Sequence, residues 1–220
     1  MELKTSIIND NYTSWVYDAY DIQNKESVVT HIADFAIPTD QWNVGLIYGN
    51  SGSGKSTLLR SYDADMNISF DSDKALISNF THLQPQEACK VLASVGLASV
   101  PSWLKPFDVL SNGEKFRAEI AMRISQAEGV CFIDEFTSVV DRDVAKAMSV
   151  AVAKWVRREN KQVVLASCHK DIIDWLQPDW IYSTETCEYQ KKKSVPDQPS
   201  NYKSFVQSMK RGSYLNSITI

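Results

Sequence analysis

"LIYGNSGSGKSTLLR", Leu46 to Arg60, is the stretch on which the fold turns. The apolar run Val44 to Tyr48 reads as a β-strand, and a helix is predicted to begin near Lys55. Between them Gly49 to Ser56 fits the pattern G-x-x-x-x-G-K-S. Gly49, Gly52 and Gly54 allow successive backbone N–H groups to curl around phosphate oxygens, helped by the positive end of the following helix. Asn50, Ser51, Ser53 and Thr57 complete the lining; Lys55 would reach the outer phosphates and Ser56 would place its hydroxyl on Mg²⁺. Strand, glycine loop and helix in succession turn a short pattern into a credible nucleotide site.

Outward from this stretch, Val28 to Pro38 (VVTHIADFAIP) reads as a strand with Val29, Ala33, Phe35 and Ile37 on one face. Asp40 and Gln41 form the turn that leads into Val44. Two later apolar runs, Val130 to Ile133 (VCFI) and Val163 to Ala166 (VVLA), do not alternate, which suits parallel strands covered on both faces. Between them Asp143 is expected to cap a helix carrying Val144, Met148, Ala151, Val152 and Trp155 at helical spacing. Repeated strand–helix–strand units imply an α/β layered fold.

Phe80 to Glu128 has another texture. Pro85 suits a first helical position and Gly96 a position past the helix end, with Ala88, Val91, Leu92 and Val95 as the apolar face. A second helix is predicted from Gly113, carrying Phe116, Ile120 and Ile124. The region, about residues 80–128, reads as a helical subdomain inserted between strands. Residues 184–220 read as a polar tail with a short helix around Phe205, Val206 and Met209.

Composition narrows the function classes. The 220 residues are 44% hydrophobic and 23% charged, as in ordinary soluble domains. A net charge of −4 argues against a broadly basic nucleic-acid surface. No apolar run is long enough to span a bilayer, so direct membrane insertion is not expected, and MELKTSIINDN lacks the apolar centre of a signal peptide. Cys89, Cys131, Cys168 and Cys187 lack metal-site spacing; Cys131 and Cys168 lie in apolar runs and read as core residues of a reduced, cytoplasmic protein.

Two further motifs carry chemistry. In VCFIDEF, an apolar strand ends in Asp134 and Glu135, placing two carboxylates at the carboxyl edge of the sheet. Asp134 would join the Mg²⁺ shell and Glu135 would polarise an attacking water as general base. In VLSNGEKFR, Ser111 and Glu114 fit the S-x-x-E capping box that starts many helices. The same N–H groups, hydroxyl and helix dipole also make an anion site, one suited to a nucleotide held by another subunit.

LSNGE resembles the LSGGQ signature of ABC-type ATPases and lies, as in that family, between the phosphate loop and the acidic strand. TSVVD (137–141) resembles its D-loop and SCH (167–169) its switch histidine. The resemblance spans residues 12 to 183 and implies a P-loop fold of ABC type, with a mixed, mainly parallel sheet and an inserted helical subdomain. DEFTSVVDRDVAKA, SCHKDIIDWLQPDW and PSWLKPFDVLSNGE further resemble a soluble, non-transport branch often fused to, or encoded beside, a predicted acetyltransferase. What this resemblance implies is ATP hydrolysis with Mg²⁺ in a head-to-tail homodimer, with a separate acetyltransferase or another protein as partner. Ser111, Asn112, Gly113 and Glu114 would act on the nucleotide of the opposite subunit, Asp141 would lie at the boundary, and His169 would sense the γ-phosphate. An aromatic should stack on adenine: Tyr20, with Tyr17 second, although four aromatics in residues 12–20 equally fit ordinary strand packing.

Two departures stand out. Asn112 replaces the second signature glycine, and asparagine tolerates left-handed backbone better than most residues. No glutamine follows a predicted strand near Ile68 to Phe70; Asp71 lies near the family's Q-loop position, while Gln84 and Gln86 look like helix-start residues. The alternatives are the nucleotide-binding subunit of a membrane transporter and a genome-handling ATPase. For the latter, Lys191 to Lys193, Lys210 and Arg211 could form a basic tail that meets nucleic acid, although these charges read first as a solvated tail.

Overall fold

A computed structural model describes residues 2–23, 27–31, 35–62 and 68–191. In chain order its elements are β1 (Glu2–Ser6), α1 (Asn11–Ala19), β2 (Ser27–His31), β3 (Val44–Tyr48), α2 (Lys55–Arg60), α3 (Pro85–Ser94) and α4 (Val100–Trp103). There follow α5 (Asn112–Gln126), β4 (Val130–Ile133), α6 (Arg142–Arg158), β5 (Gln162–Ser167), α7 (Ile172–Leu176), β6 (Trp180–Ser183) and β7 (Tyr189–Lys191).

The apolar runs become neighbours in one sheet of order β4-β5-β3-β6-β7. The first four strands in that order are parallel, and β7 returns antiparallel to β6. Side chains alternate between two cores, as a period of two requires. Val44, Leu46, Cys131, Ile133, Val163, Leu165 and Ile181 face α3, α5, α6 and α7. Ile47, Val164, Ala166, Trp180 and Tyr182 face Leu58 and Leu59 of α2. Central β5 is buried throughout after Gln162, whereas edge strand β4 leaves Val130 and Phe132 half-buried, so only part of VCFI behaves as a two-faced strand.

Two contacts lock β3 against β6. The Asp179 carboxylate accepts the backbone N–H groups of Asn43 and Val44, both at 2.8 Å. A Cβ on Gly45 would lie 2.0 Å from the indole of Trp180, so the ring packs only because position 45 has no side chain. Trp42 meets that indole edge-on at 5.4 Å and Phe35 tilts against it at 5.3 Å.

Several expectations need correction. The strand from Val28 is shorter: β2 ends at His31 and pairs antiparallel with β1 in a separate two-stranded sheet. Phe35 and Ile37 are not in a strand, yet they do pack on the α2-side core; Ala33 and the side chain of Val29 lie outside the described residues. Residues 11–19 form a helix rather than a strand, because Asp10 and Thr13 close a capping box ahead of it. The cap of α6 is Asp141, whose Oδ1 accepts from Val144 N at 2.9 Å; Asp143 sits in the first turn. Ile68 to Phe70 do not form a strand, and Phe70 instead stacks on Phe107 at 4.1 Å. The sheet continues through β7 to Lys191, beyond residue 183; the short helix read around Phe205 lies outside the described residues. Cys168 is exposed because the chain has already left β5, whereas Cys131 is buried and its thiol is pushed up to about 12 by that burial.

Between β3 and β4 the helical reading is realised. Pro85 opens α3, Gly96 follows it with φ +81°, and Ala88, Val91, Leu92 and Val95 are buried. In α5, Ile120 and Ile124 are buried, and Phe116 packs half-buried against the same core. Among the described residues no helix is long and apolar enough to cross a membrane.

Candidate functional site

The register aligns the carboxyl ends of the parallel strands. Tyr48 pairs with Ser167 on one side and Ser183 on the other, and Ile133 pairs with Leu165. The next residues are therefore Gly49, Asp134, Cys168-His169 and Thr184-Glu185, four loops on one sheet edge. Ligands of open α/β sheets bind at such edges.

Gly52 and Gly54 have φ of +80° and +88°, where an L side chain would be strained. Gly54 is the N-cap of α2 and brings no side-chain cap. The backbone N–H groups of Gly54, Lys55, Ser56 and Thr57 consequently find no acceptor among the described residues; the first bond of the turn is Leu58 N to Gly54 O, 2.8 Å. Lys55 Nζ lies back over the loop and donates to Gly49 O at 2.8 Å and Asn50 O at 2.7 Å. A row of unbonded donors beside an ammonium group fits a polyphosphate.

After β4 the chain turns sharply. Glu135 has φ +50° and Thr137 φ +73°, a rare region for a β-branched residue. Between them Phe136 is fully buried and donates its N–H to Ala166 O at 2.8 Å. That anchor presents Glu135 outward, exposed, while Asp134 Oδ1 accepts from Glu135 N at 2.8 Å. Neither carboxylate has a cationic side-chain partner among the described residues. No group of three or more His, Cys, Asp or Glu among them is arranged to hold a metal alone. Ser56 stands in the first turn of α2 and Asp134 just past β4; Mg²⁺ usually takes one or two protein ligands and completes its shell with phosphates and water. His169 is half-buried past β5, its backbone N–H bonded to Ser167 Oγ at 3.1 Å.

Ser111 and Glu114 realise the capping-box reading. Glu114 Oε2 accepts from Ser111 N (3.0 Å) and Ser111 Oγ (2.8 Å), and Oε1 accepts from Ser102 Oγ (2.7 Å). The Ser102 and Ser111 donors hold the Glu114 carboxyl down at about 2. Asn112 and Gly113 form the first turn of α5, and Gly113 faces Val139 O and Val140. This segment thus packs beside the one ending in Asp141, while its polar side chains bond to each other rather than to the phosphate loop.

Tyr20 is not brought to this edge by any described contact. It is the C-cap of α1, 68% exposed, and its side chain has no hydrogen-bond or ring partner among the described residues. Tyr17 is half-buried on the same helix. Asp71, near the place where the resemblance expects a Q-loop, makes a local turn, accepting from Asp73 N at 3.0 Å and pairing with Lys74 at 2.9 Å. Gln84 is the N-cap of α3, bonded through its N–H to Glu87.

Thr184 and Glu185 were not singled out from the sequence, yet both touch the phosphate loop. Asn50 N donates to Glu185 Oε1 at 2.5 Å, and Ser53 Oγ lies 2.6 Å from Thr184 Oγ1. The usable signal was the apolar run WIYS followed by Thr-Glu, the same pattern of strand and polar end that marks Asp134.

The fold is that of ATP-binding cassettes. The chain is similar to the ATP-binding cassette MJ0796 in a dimeric, post-hydrolysis state bound to ADP and Pi, with TM-score 0.54 and 15% identity over 77% of this chain and 91% of that one. A second dimeric structure of MJ0796, a bacterial ABC transporter cassette, gives 0.52 and 16% over 77% and 91%. The cassette cbiO1 from Clostridium perfringens, part of the ABC transporter complex cbiONQ, gives 0.50 and 18% over 72% and 76%. No protein-family model matches the sequence, and no curated protein matches it. At these identities the likeness carries the fold.

Proposed function

We propose that the chain binds and hydrolyses ATP as a head-to-tail dimer with nucleotides held at the subunit boundary. The observation that carries the reading is the row of unaccepted N–H groups from Gly54 to Thr57, on the sheet edge that also bears Lys55, Asp134-Glu135 and His169. Phosphate oxygens satisfy those donors, and Lys55 exchanges two loop carbonyls for the outer phosphates. The likeness to dimeric cassettes, one of them bound to ADP and Pi, supports the same ligand and assembly here.

Ser56 and Asp134 would hold Mg²⁺, which offsets the charge on the phosphates. Glu135 accepts a proton from water as its oxygen attacks the γ-phosphorus; the bond to the bridging oxygen breaks, releasing ADP and phosphate. Ser111 and Gly113 reach the γ-phosphate held by the opposite subunit, with Asn112 and Glu114 shaping that turn and Asp141 beside it. His169 contacts the γ-phosphate within its own subunit. Tyr20 as the adenine platform rests on sequence spacing alone. The stretches DEFTSVVDRDVAKA, SCHKDIIDWLQPDW and PSWLKPFDVLSNGE support the soluble, non-transport branch, with a separate acetyltransferase or another protein as partner; a cytoplasmic location rests on the sequence reading.

Phosphate release and nucleotide binding, measured side by side, test the reading. Glu135→Gln should retain ATP while turnover falls by about 10²–10⁴, the usual worth of a general base. Normal turnover in that variant would sink the assignment. A pull-down with the same variant, with and without ATP·Mg²⁺, tests the acetyltransferase partner, which should elute only with nucleotide.

A further inference from the structure

The phosphate loop has two sides, and its own Lys55 Nζ and Ser53 N bond only carbonyls of its first half, those of Gly49 and Asn50. One side carries the N–H groups of Gly54 to Thr57. Gly49, Asn50 and Ser53 are instead held by the turn between β6 and β7.

That turn is built rather than incidental. Thr184 N donates to Tyr48 O at 3.0 Å, extending the β3–β6 pairing one residue past the strand, and Thr184 Oγ1 lies 3.3 Å from the same carbonyl. Ser183 N donates to Glu188 O at 3.0 Å, and Thr186 N donates to Ser183 Oγ at 3.3 Å. Thr186 Oγ1 also reaches Glu188 Oε2 at 3.3 Å. With β7 paired to β6, these bonds fix where Thr184 and Glu185 stand. From there Glu185 accepts the Asn50 N–H, and the Thr184 and Ser53 hydroxyls bond to each other. A Cβ on Gly49 would lie 2.2 Å from Thr184 Oγ1 and 2.7 Å from Ser53 Oγ. The first glycine of the loop is thus required by the turn that touches it.

We propose that Thr184 and Glu185 are positioning residues of the nucleotide site: they brace the first half of the phosphate loop so that its second half meets the phosphates already shaped. The proposal deepens the ATP reading and rests on it. A loop left to find this shape on its own would lose freedom only when nucleotide binds, and affinity would fall accordingly. The brace also joins the loop to β7 through the β6–β7 turn.

The test compares the full-length wild type with Glu185→Ala, Glu185→Gln and Thr184→Val in two measurements. The first is hydrogen exchange of the Asn50 amide without nucleotide. Glu185→Ala should exchange about tenfold faster, since a bond to a charged group is worth roughly that factor. Glu185→Gln should restore much of the protection, because its amide oxygen still accepts. The second is ATP·Mg²⁺ binding and steady-state turnover. Glu185→Ala should weaken binding about tenfold, with the effect falling on KM rather than kcat, as expected when a bond lost equally from ground and transition states is removed. Glu185→Gln should recover to within about threefold, and Thr184→Val, which keeps shape but loses the hydroxyl, should weaken binding by about threefold.

Unchanged affinity in Glu185→Ala overturns the proposal, whatever the exchange shows. Tighter binding overturns it too, because the carboxylate would then compete with the nucleotide. Slow exchange in Glu185→Ala contradicts the brace in the free protein. If the wild type itself binds no ATP, the ATP reading fails, while the exchange measurement still judges the contact.

Discussion

Two loop-to-helix junctions in this molecule face the same physical problem and resolve it in opposite ways. At the start of α2 the N-cap is Gly54, which brings no side chain, so the first-turn N–H groups find no acceptor among the described residues. At the start of α5 the N-cap is Ser111, and Glu114 turns back to close a reciprocal box on it. At the first junction the loop bonds both to its own Lys55 and to Thr184 and Glu185, and its first-turn donors find no acceptor among the described residues. The second is closed from within, and is stable before any ligand arrives. An anion can enter the first junction directly. On the proposed reading, engaging a γ-phosphate of the other subunit through Ser111 would require the second to give up part of its cap.

The largest expected effect breaks the open junction by removing its cation. Lys55→Ala should weaken ATP binding by about 100-fold, since charge-assisted bonds to two phosphates disappear. Equilibrium titration with a fluorescent ATP analogue checks this, and retained tight binding contradicts the role of Lys55. Next comes the backbone. Gly54→Ala places a Cβ at φ +88°, costing about 1–2 kcal/mol by the left-handed penalty. Both the melting temperature and ATP affinity should fall, and an affinity unchanged from wild type would mean that the αL cap is not needed.

The closed junction should respond differently. Ser111→Ala should lower stability by about 1 kcal/mol, the usual value of an N-cap. It should leave ATP affinity of the single chain as it was, while turnover drops because the opposite subunit loses its contact. Denaturant unfolding paired with binding separates the two effects.

The smallest effect is a pH signature. Glu114 is held at about 2 in the folded chain against an ordinary 4.5, so its contribution to stability is complete above 4.5 and lost as pH falls toward 2. Wild type should therefore lose stability more steeply than Glu114→Gln across that window. The lowered carboxyls of Asp10, Asp40 and Asp71 act on both proteins alike and cancel in the comparison.

Much of this contrast was legible in the chain. The glycine loop, the strand Val130–Ile133, the helix beginning at Pro85 and the capping box at Ser111 are local patterns, and local patterns survive into structure. What escaped was decided elsewhere. Residues 11–19 became a helix through the Asp10–Thr13 cap, although their aromatics also suit a strand. Asp141, not Asp143, caps α6, because its Oδ1 takes the Val144 N–H. Glu185 lies 135 positions from Asn50, and only the placement of β6 beside β3 brings them together. No spacing rule along the chain could pair them.

The central claim is that the open and closed junctions meet across two subunits with ATP between them. Its most direct test is the mass of Glu135→Gln in solution by analytical ultracentrifugation, with and without ATP·Mg²⁺, alone and combined with Ser111→Ala. The account predicts a doubled mass with ATP·Mg²⁺ only, shifted back toward the single chain when Ser111 is also replaced. A single-chain mass at saturating bound ATP, or a dimer indifferent to both nucleotide and Ser111, would contradict it.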